Sequence, residues 1–137
     1  FKLLGFNYNR VDFISHKVDD VDILSKINFL YDDAMASATV AINAKAEGDL
    51  VISGSKGYIY VPAPWWKTEY FELRFEDVNL NQKYFYKFEG EGLRYEIVEF
   101  LKCIREDSES FLMSHQDMIE EVRVLNKFVS NTDVTVI

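Results

Sequence analysis

The sequence predicts an α+β fold, a mostly antiparallel open-faced sheet of about seven strands with two C-terminal helices packed on one face. Three observations predict it. Aromatic residues make up 15% of the 137-residue chain and fall in short alternating runs, where flat rings pack on a pleated, half-buried surface. Upstream of Leu93 polar and apolar residues alternate with a period of two, and from Leu93 onward the period becomes helical. Strands first and helices last gather the helices on one side of the sheet.

Each element has its own signal. Lys2-Leu3-Leu4-Gly5 reads as the last turn of a helix closed by a glycine in the left-handed cap position. So abrupt a start leaves an incomplete apolar face, and the polypeptide is expected to continue upstream. Val11 to Ile14 and Asp22 to Tyr31 alternate as strands, with Ile23, Ser25, Ile27 and Phe29 on one side of the second. Asp32-Asp33 makes a turn into a strand of small side chains, Ala34 to Asn43. A second hairpin joins Leu50-Val51-Ile52 to Tyr58-Ile59-Tyr60-Val61, and the glycines of Ser53-Gly54-Ser55-Lys56-Gly57 are expected to supply positive φ in its turn. Beyond Pro62-Ala63-Pro64-Trp65-Trp66, aromatic strands follow around Tyr70 to Phe75 and Tyr84 to Phe88.

The first helix is predicted from Leu93, with Leu93, Ile97, Phe100, Leu101 and Ile104 on a buried stripe. The second opens on a capping box, Ser114-His115-Gln116-Asp117, ahead of a stripe of Met118, Val122, Leu125 and Val129. With 48% hydrophobic residues, residues 1–137 suffice for a single domain with its own core.

Composition excludes several function classes. The net charge of -8 repels a phosphate backbone and no cluster of Lys and Arg offsets it, so no nucleic acid is expected as a partner. No apolar run of about twenty residues occurs, so no membrane span is expected. A lone cysteine, Cys103, cannot form an internal disulfide, and nothing reads as a secretory leader, which points to the cytoplasm.

Candidate chemistry is sparse, and no catalytic or metal-binding residue is assigned. Gly54-Ser55-Lys56-Gly57 lacks the spacing of a phosphate loop and runs into a strand, so it reads as a turn. His16 and His115 have no ligand set around them. Cys103 sits in an amphipathic helix, where packing is the expected role. The acidic pairs Asp19-Asp20 and Glu69 with Glu72 read as solvated faces. Pro62-Ala63-Pro64-Trp65-Trp66-Lys67 stands apart, because adjacent indoles cannot both point to one side of a strand. Either at least one lines a pocket or interface, or both cover the edge of the core, and the residues alone leave the two readings level.

Taken in order, Ile52-Ser53-Gly54-Ser55-Lys56-Gly57-Tyr58-Ile59 before a Pro-Trp loop, Gly90-Glu91-Gly92-Leu93-Arg94-Tyr95-Glu96 opening a helix, and Glu120-Glu121-Val122 in a capped terminal helix resemble a known family. It is the C-terminal domain of the glucose-fructose oxidoreductase, inositol dehydrogenase and MocA family, with the dihydrodiol-dehydrogenase-like members most similar. The resemblance covers nearly the whole chain. It implies an N-terminal Rossmann domain in the same polypeptide that binds NAD or NADP and carries a catalytic Glu-Lys-Pro motif. This chain holds neither that motif nor G-x-G-x-x-G after a strand, so no cofactor-binding residue is assigned.

What the resemblance implies for this chain is the substrate-side and oligomerisation domain of an NAD(P)-dependent oxidoreductase acting on a sugar, polyol or diol, inactive alone. Trp65, Trp66, Arg94 and Tyr95 are the expected substrate-binding residues, and a homo-oligomer through the open sheet face is the expected assembly. The alternative is a free-standing ligand-binding or assembly module that uses an open sheet, since fold does not fix function.

Overall fold

The computed structural model describes all of residues 1–137. It is α+β, with eight strands in two mostly antiparallel sheets and two helices late in the chain. The strands are β1 (Arg10–Val18), β2 (Val21–Leu30), β3 (Met35–Ala41), β4 (Leu50–Gly54), β5 (Gly57–Val61), β6 (Tyr70–Phe75), β7 (Gln82–Phe85) and β8 (Val134–Val136). The helices are α1 (Leu93–Glu106) and α2 (His115–Val129). Neither helix is long and apolar enough to cross a membrane.

The sheet differs from the single seven-stranded one expected. There are two four-stranded sheets, ordered β3-β2-β1-β8 and β4-β5-β6-β7. They lie in two compact units, residues 1–45 with 106–137 and residues 46–105. The break falls between β3 and β4, where an irregular stretch includes Gly48 in the left-handed region at φ +77 and interrupts the extended backbone.

In the first unit, β1 and β2 form a hairpin whose two turn residues, Asp19 and Asp20, have φ of 49° and 61°. That pattern suits the right-handed twist of the flanking strands, and Asp tolerates it. Gly5, at φ +77, donates its N–H to the Phe1 carbonyl at 2.7 Å, the glycine-closed turn expected there. Val11 and Phe13 of β1 meet Val124 of α2 in the buried core, with Phe1, Tyr8, Ile27, Phe29, Phe128 and Val134 around them. The rings of Phe13 and Phe128 lie 5.3 Å apart. Ser15, next on the same face of β1, is fully buried and donates its hydroxyl to Asp22. Strand β8, absent from the sequence reading, pairs parallel with β1; three residues are too short a run to show a period.

The capping box of α2 is present in both directions between Ser114 and Asp117. The face that docks is not the predicted one. Met118, Val122, Leu125 and Val129 are exposed, whereas Asp117, Glu120 and Val124 are buried. Two carboxylates on the docked face hide it from a count of apolar residues. Both are paired, Asp117 with Lys2 and Ser114, and Glu120 with Gln116 and Arg123, which is the condition for burying charge.

The second unit holds the β4-β5-β6-β7 meander and nearly all of α1. Gly54 and Gly57 pair across the β4–β5 hairpin, and neither has positive φ. Gly57 serves another purpose: a β-carbon there would lie 2.5 Å from the Arg74 carbonyl oxygen. Helix α1 has no buried residue, and its predicted stripe of Leu93, Ile97, Phe100, Leu101 and Ile104 is exposed rather than covered.

Candidate functional site

The Trp loop and the entrance to α1 belong to the second unit, and one ion pair joins them. After β5 the chain passes Pro62-Ala63-Pro64 into a 3-10 turn over Trp65–Lys67, closed by the Lys67 N–H donating to the Pro64 carbonyl at 2.9 Å. The Trp65 N–H donates to the Gly48 carbonyl at 2.9 Å. A β-carbon at Gly48 would meet the Trp66 ring at 3.8 Å, so this glycine forms the floor on which the indole rests. The two rings stand edge to face, 6.1 Å apart at 89°, and are 50% and 63% exposed. Both indoles therefore present surface to solvent, which leaves no closed core for them to fill.

At the entrance to α1, Gly90 takes φ +70 and turns the chain toward the helix. The Glu89 N–H donates to the Tyr95 hydroxyl at 2.8 Å, and the Tyr95 ring lies 5.2 Å from that of Phe88. Arg94 donates to the Glu89 carbonyl at 3.3 Å and lies 3.8 Å from the Glu89 carboxylate. Lys67 Nζ sits 2.6 Å from Glu91 Oε1. The sequence-selected Trp65 and Trp66 are thus tied, through the next residue, to the segment that carries Arg94 and Tyr95. The hydroxyl of Tyr95 and the guanidinium of Arg94 are already engaged locally. A shallow hollow of about 380 Å³ lies elsewhere, at the β4–β5 turn against Leu73 and Phe75, and none of the four residues lines it.

A second surface of this unit escaped the sequence reading. Register places Tyr58, Tyr60, Glu72, Arg74 and Lys83 on one face of the sheet. The Arg74 guanidinium lies 4.4 Å from the centroid of Tyr60 and 5.8 Å from that of Tyr58. Lys83 Nζ stands 3.4 Å over the ring of Tyr70. Glu72 accepts from Arg74 at 2.7 Å and lies 3.4 Å from Lys83. The hydrogen bond from Arg74 chiefly lowers the Glu72 pKa from its ordinary value, against the opposing cost of burial. Alternation at Tyr58 and Tyr60, and again at Tyr70, Glu72 and Arg74, is the sequence signal that marks this face.

The entrance to α1 does not match the dinucleotide-binding fingerprint. Gly90 and Gly92 precede a helix, but Tyr95 stands where a third glycine would let the helix pack closely. Glu89 and Glu91 flank that entrance and oppose a phosphate. No group of three or more His, Cys, Asp or Glu side chains is placed to hold a metal ion. His115 lies 3.2 Å from Glu109 on the surface, and Cys103 is half-buried in α1. No protein-family model matches this chain, and no curated protein matches it significantly.

Proposed function

We propose that this chain is the substrate-side and assembly part of a cytoplasmic NAD(P)-dependent oxidoreductase acting on a sugar, polyol or diol, and that it binds and orients rather than reacts. One observation carries the reading: the Lys67–Glu91 contact ties two half-exposed indoles to the segment bearing Arg94 and Tyr95. An indole face packs against the C–H surface of a hydroxylated ring or chain, while neighbouring charged groups exchange hydrogen bonds with its hydroxyls. Hydride transfer would belong to a nicotinamide held by a Rossmann domain of the same polypeptide.

The open aromatic and cationic face of β5, β6 and β7 favours a second reading, a free-standing module that holds a ligand or partner on its sheet.

Trp65 and Trp66 are the only tryptophans in the chain, so its indole fluorescence reports on this loop alone. Titration with polyols and monosaccharides should shift that emission saturably in the millimolar range. A flat response to every polyol and sugar, with the fold intact, overturns the substrate-side reading and leaves the sheet module.

A further inference from the structure

The first sheet ends on β3, and this edge carries none of the devices that normally keep a sheet edge from pairing. Residues 34–43 (AMASATVAIN) contain no charge and no proline, in a chain with 28% charged residues. All seven residues of β3 pair with β2 without a register shift, so no bulge twists the edge away. Hydrogen bonds from the Tyr31 N–H to the Ala34 carbonyl and from the Ile42 N–H to the Ile23 carbonyl set the phase of the ladder. Ala36, Ala38 and Val40 therefore bond toward β2, while the N–H and C=O groups of Met35, Ser37, Thr39 and Ala41 point away from it. No strand pairs with that outer side.

We propose that this edge pairs with β3 of a second copy of the chain, antiparallel about a two-fold axis through Ala38. The strand is complementary to itself in that register. Met35 faces the second copy's Ala41, Ala36 faces Val40, Ser37 faces Thr39 and Ala38 meets its own counterpart, so each large side chain finds a small one and the hydroxyls find each other. Self-pairing of a charged strand sets like charges opposite one another across the axis; here none meet, although the chain as a whole carries -8. All four outward residues of each strand are used, which forms about eight backbone hydrogen bonds. The β3-β2-β1-β8 sheets of the two copies become one continuous sheet, and no edge is left at the junction. This contact uses a strand edge in the first unit and is independent of the Trp loop and of the substrate proposed for it.

Sedimentation velocity on the full chain tests it, with far-UV circular dichroism on each variant. The chain should sediment as a dimer at tens of micromolar. Thr39→Pro removes an outward N–H and spares the ladder to β2, since edge strands accept proline there; Ala38→Lys sets two ammonium groups against each other on the axis. Each should weaken the dimer about tenfold or more. In a Cys103→Ser background, Ala38→Cys should cross-link readily under mild oxidation, because Cβ atoms facing each other on the axis approach to about 5 Å. Val40→Cys should not, its counterparts lying roughly 13 Å apart along the strands. A monomer at these concentrations overturns the proposal. So does a dimer that both folded variants leave unchanged, which would place the contact on another surface. The cross-link keeps the test decisive if Thr39→Pro fails to fold.

Discussion

Gly57 pairs with Phe75 across the β5–β6 ladder and lies so close to the adjoining Arg74 backbone that a β-carbon on Gly57 would stand 2.5 Å from the Arg74 carbonyl oxygen. The nearest atom is backbone, which cannot yield as the end of a flexible side chain could. Gly57→Ala should therefore destabilise the chain by about 1 to 3 kcal/mol, the usual range for overpacking. At Gly54 a β-carbon would approach its nearest neighbour only to 3.4 Å, and its φ is not positive. Gly54→Ala should be close to neutral. Urea denaturation of the two variants distinguishes them, and equal effects would contradict this account of the turn.

Lys2 anchors the first turn of the chain to α2 through Asp117, Nζ to Oδ2 at 2.5 Å. Lys2 chiefly, then the Ser114 side chain and backbone, hold the Asp117 pKa down to about 2. A carboxyl whose folded pKa lies below its unfolded one stabilises the fold above the ordinary range and loses that contribution as pH falls toward the folded value. Stability should therefore drop between about pH 4 and pH 2. Lys2→Met should raise the Asp117 pKa and shift this loss to higher pH, as followed by acid titration of circular dichroism. An unchanged acid midpoint would show that the pair does not couple to folding.

The two faces of α2 should respond oppositely to truncation. Val124 is 5% exposed against Val11 and Phe13, whereas Val122 is 64% exposed. Val124→Ala should cost about 2 kcal/mol by leaving a cavity in the core, and Val122→Ala less than about 0.5 kcal/mol. Thermal denaturation of both variants checks the direction in which α2 docks.

Neither indole of the Trp loop is enclosed, so Trp65→Ala and Trp66→Ala should each change stability by under about 1 kcal/mol, well below the cost of truncating a buried ring. On the proposed substrate-side reading they should raise KM of the full oxidoreductase with little change in kcat, a loss of binding shared by ground and transition states. The chain alone should bind neither NADH nor NADPH in a fluorescence titration. Saturable micromolar binding would mean that another part of the fold cradles the dinucleotide.

What the sequence determined by itself lies in its local signals. Alternation between Asp22 and Tyr31, the glycine closing Lys2-Leu3-Leu4, the Ser114-Asp117 capping box and the helical period from Leu93 are each set within a few residues, so strands, helices and caps were legible without a tertiary structure. The Trp loop was legible for the same reason. Tertiary structure alone decided which face of α2 turns inward, because Asp117 reaches its burial by pairing with Lys2, far away in sequence. It alone decided that the strands divide into two sheets, that β8 joins β1, and that Arg74 and Lys83 stand over tyrosines of the same sheet. Pairing register and the partners of buried charges depend on residues distant in the chain, and no local period records them.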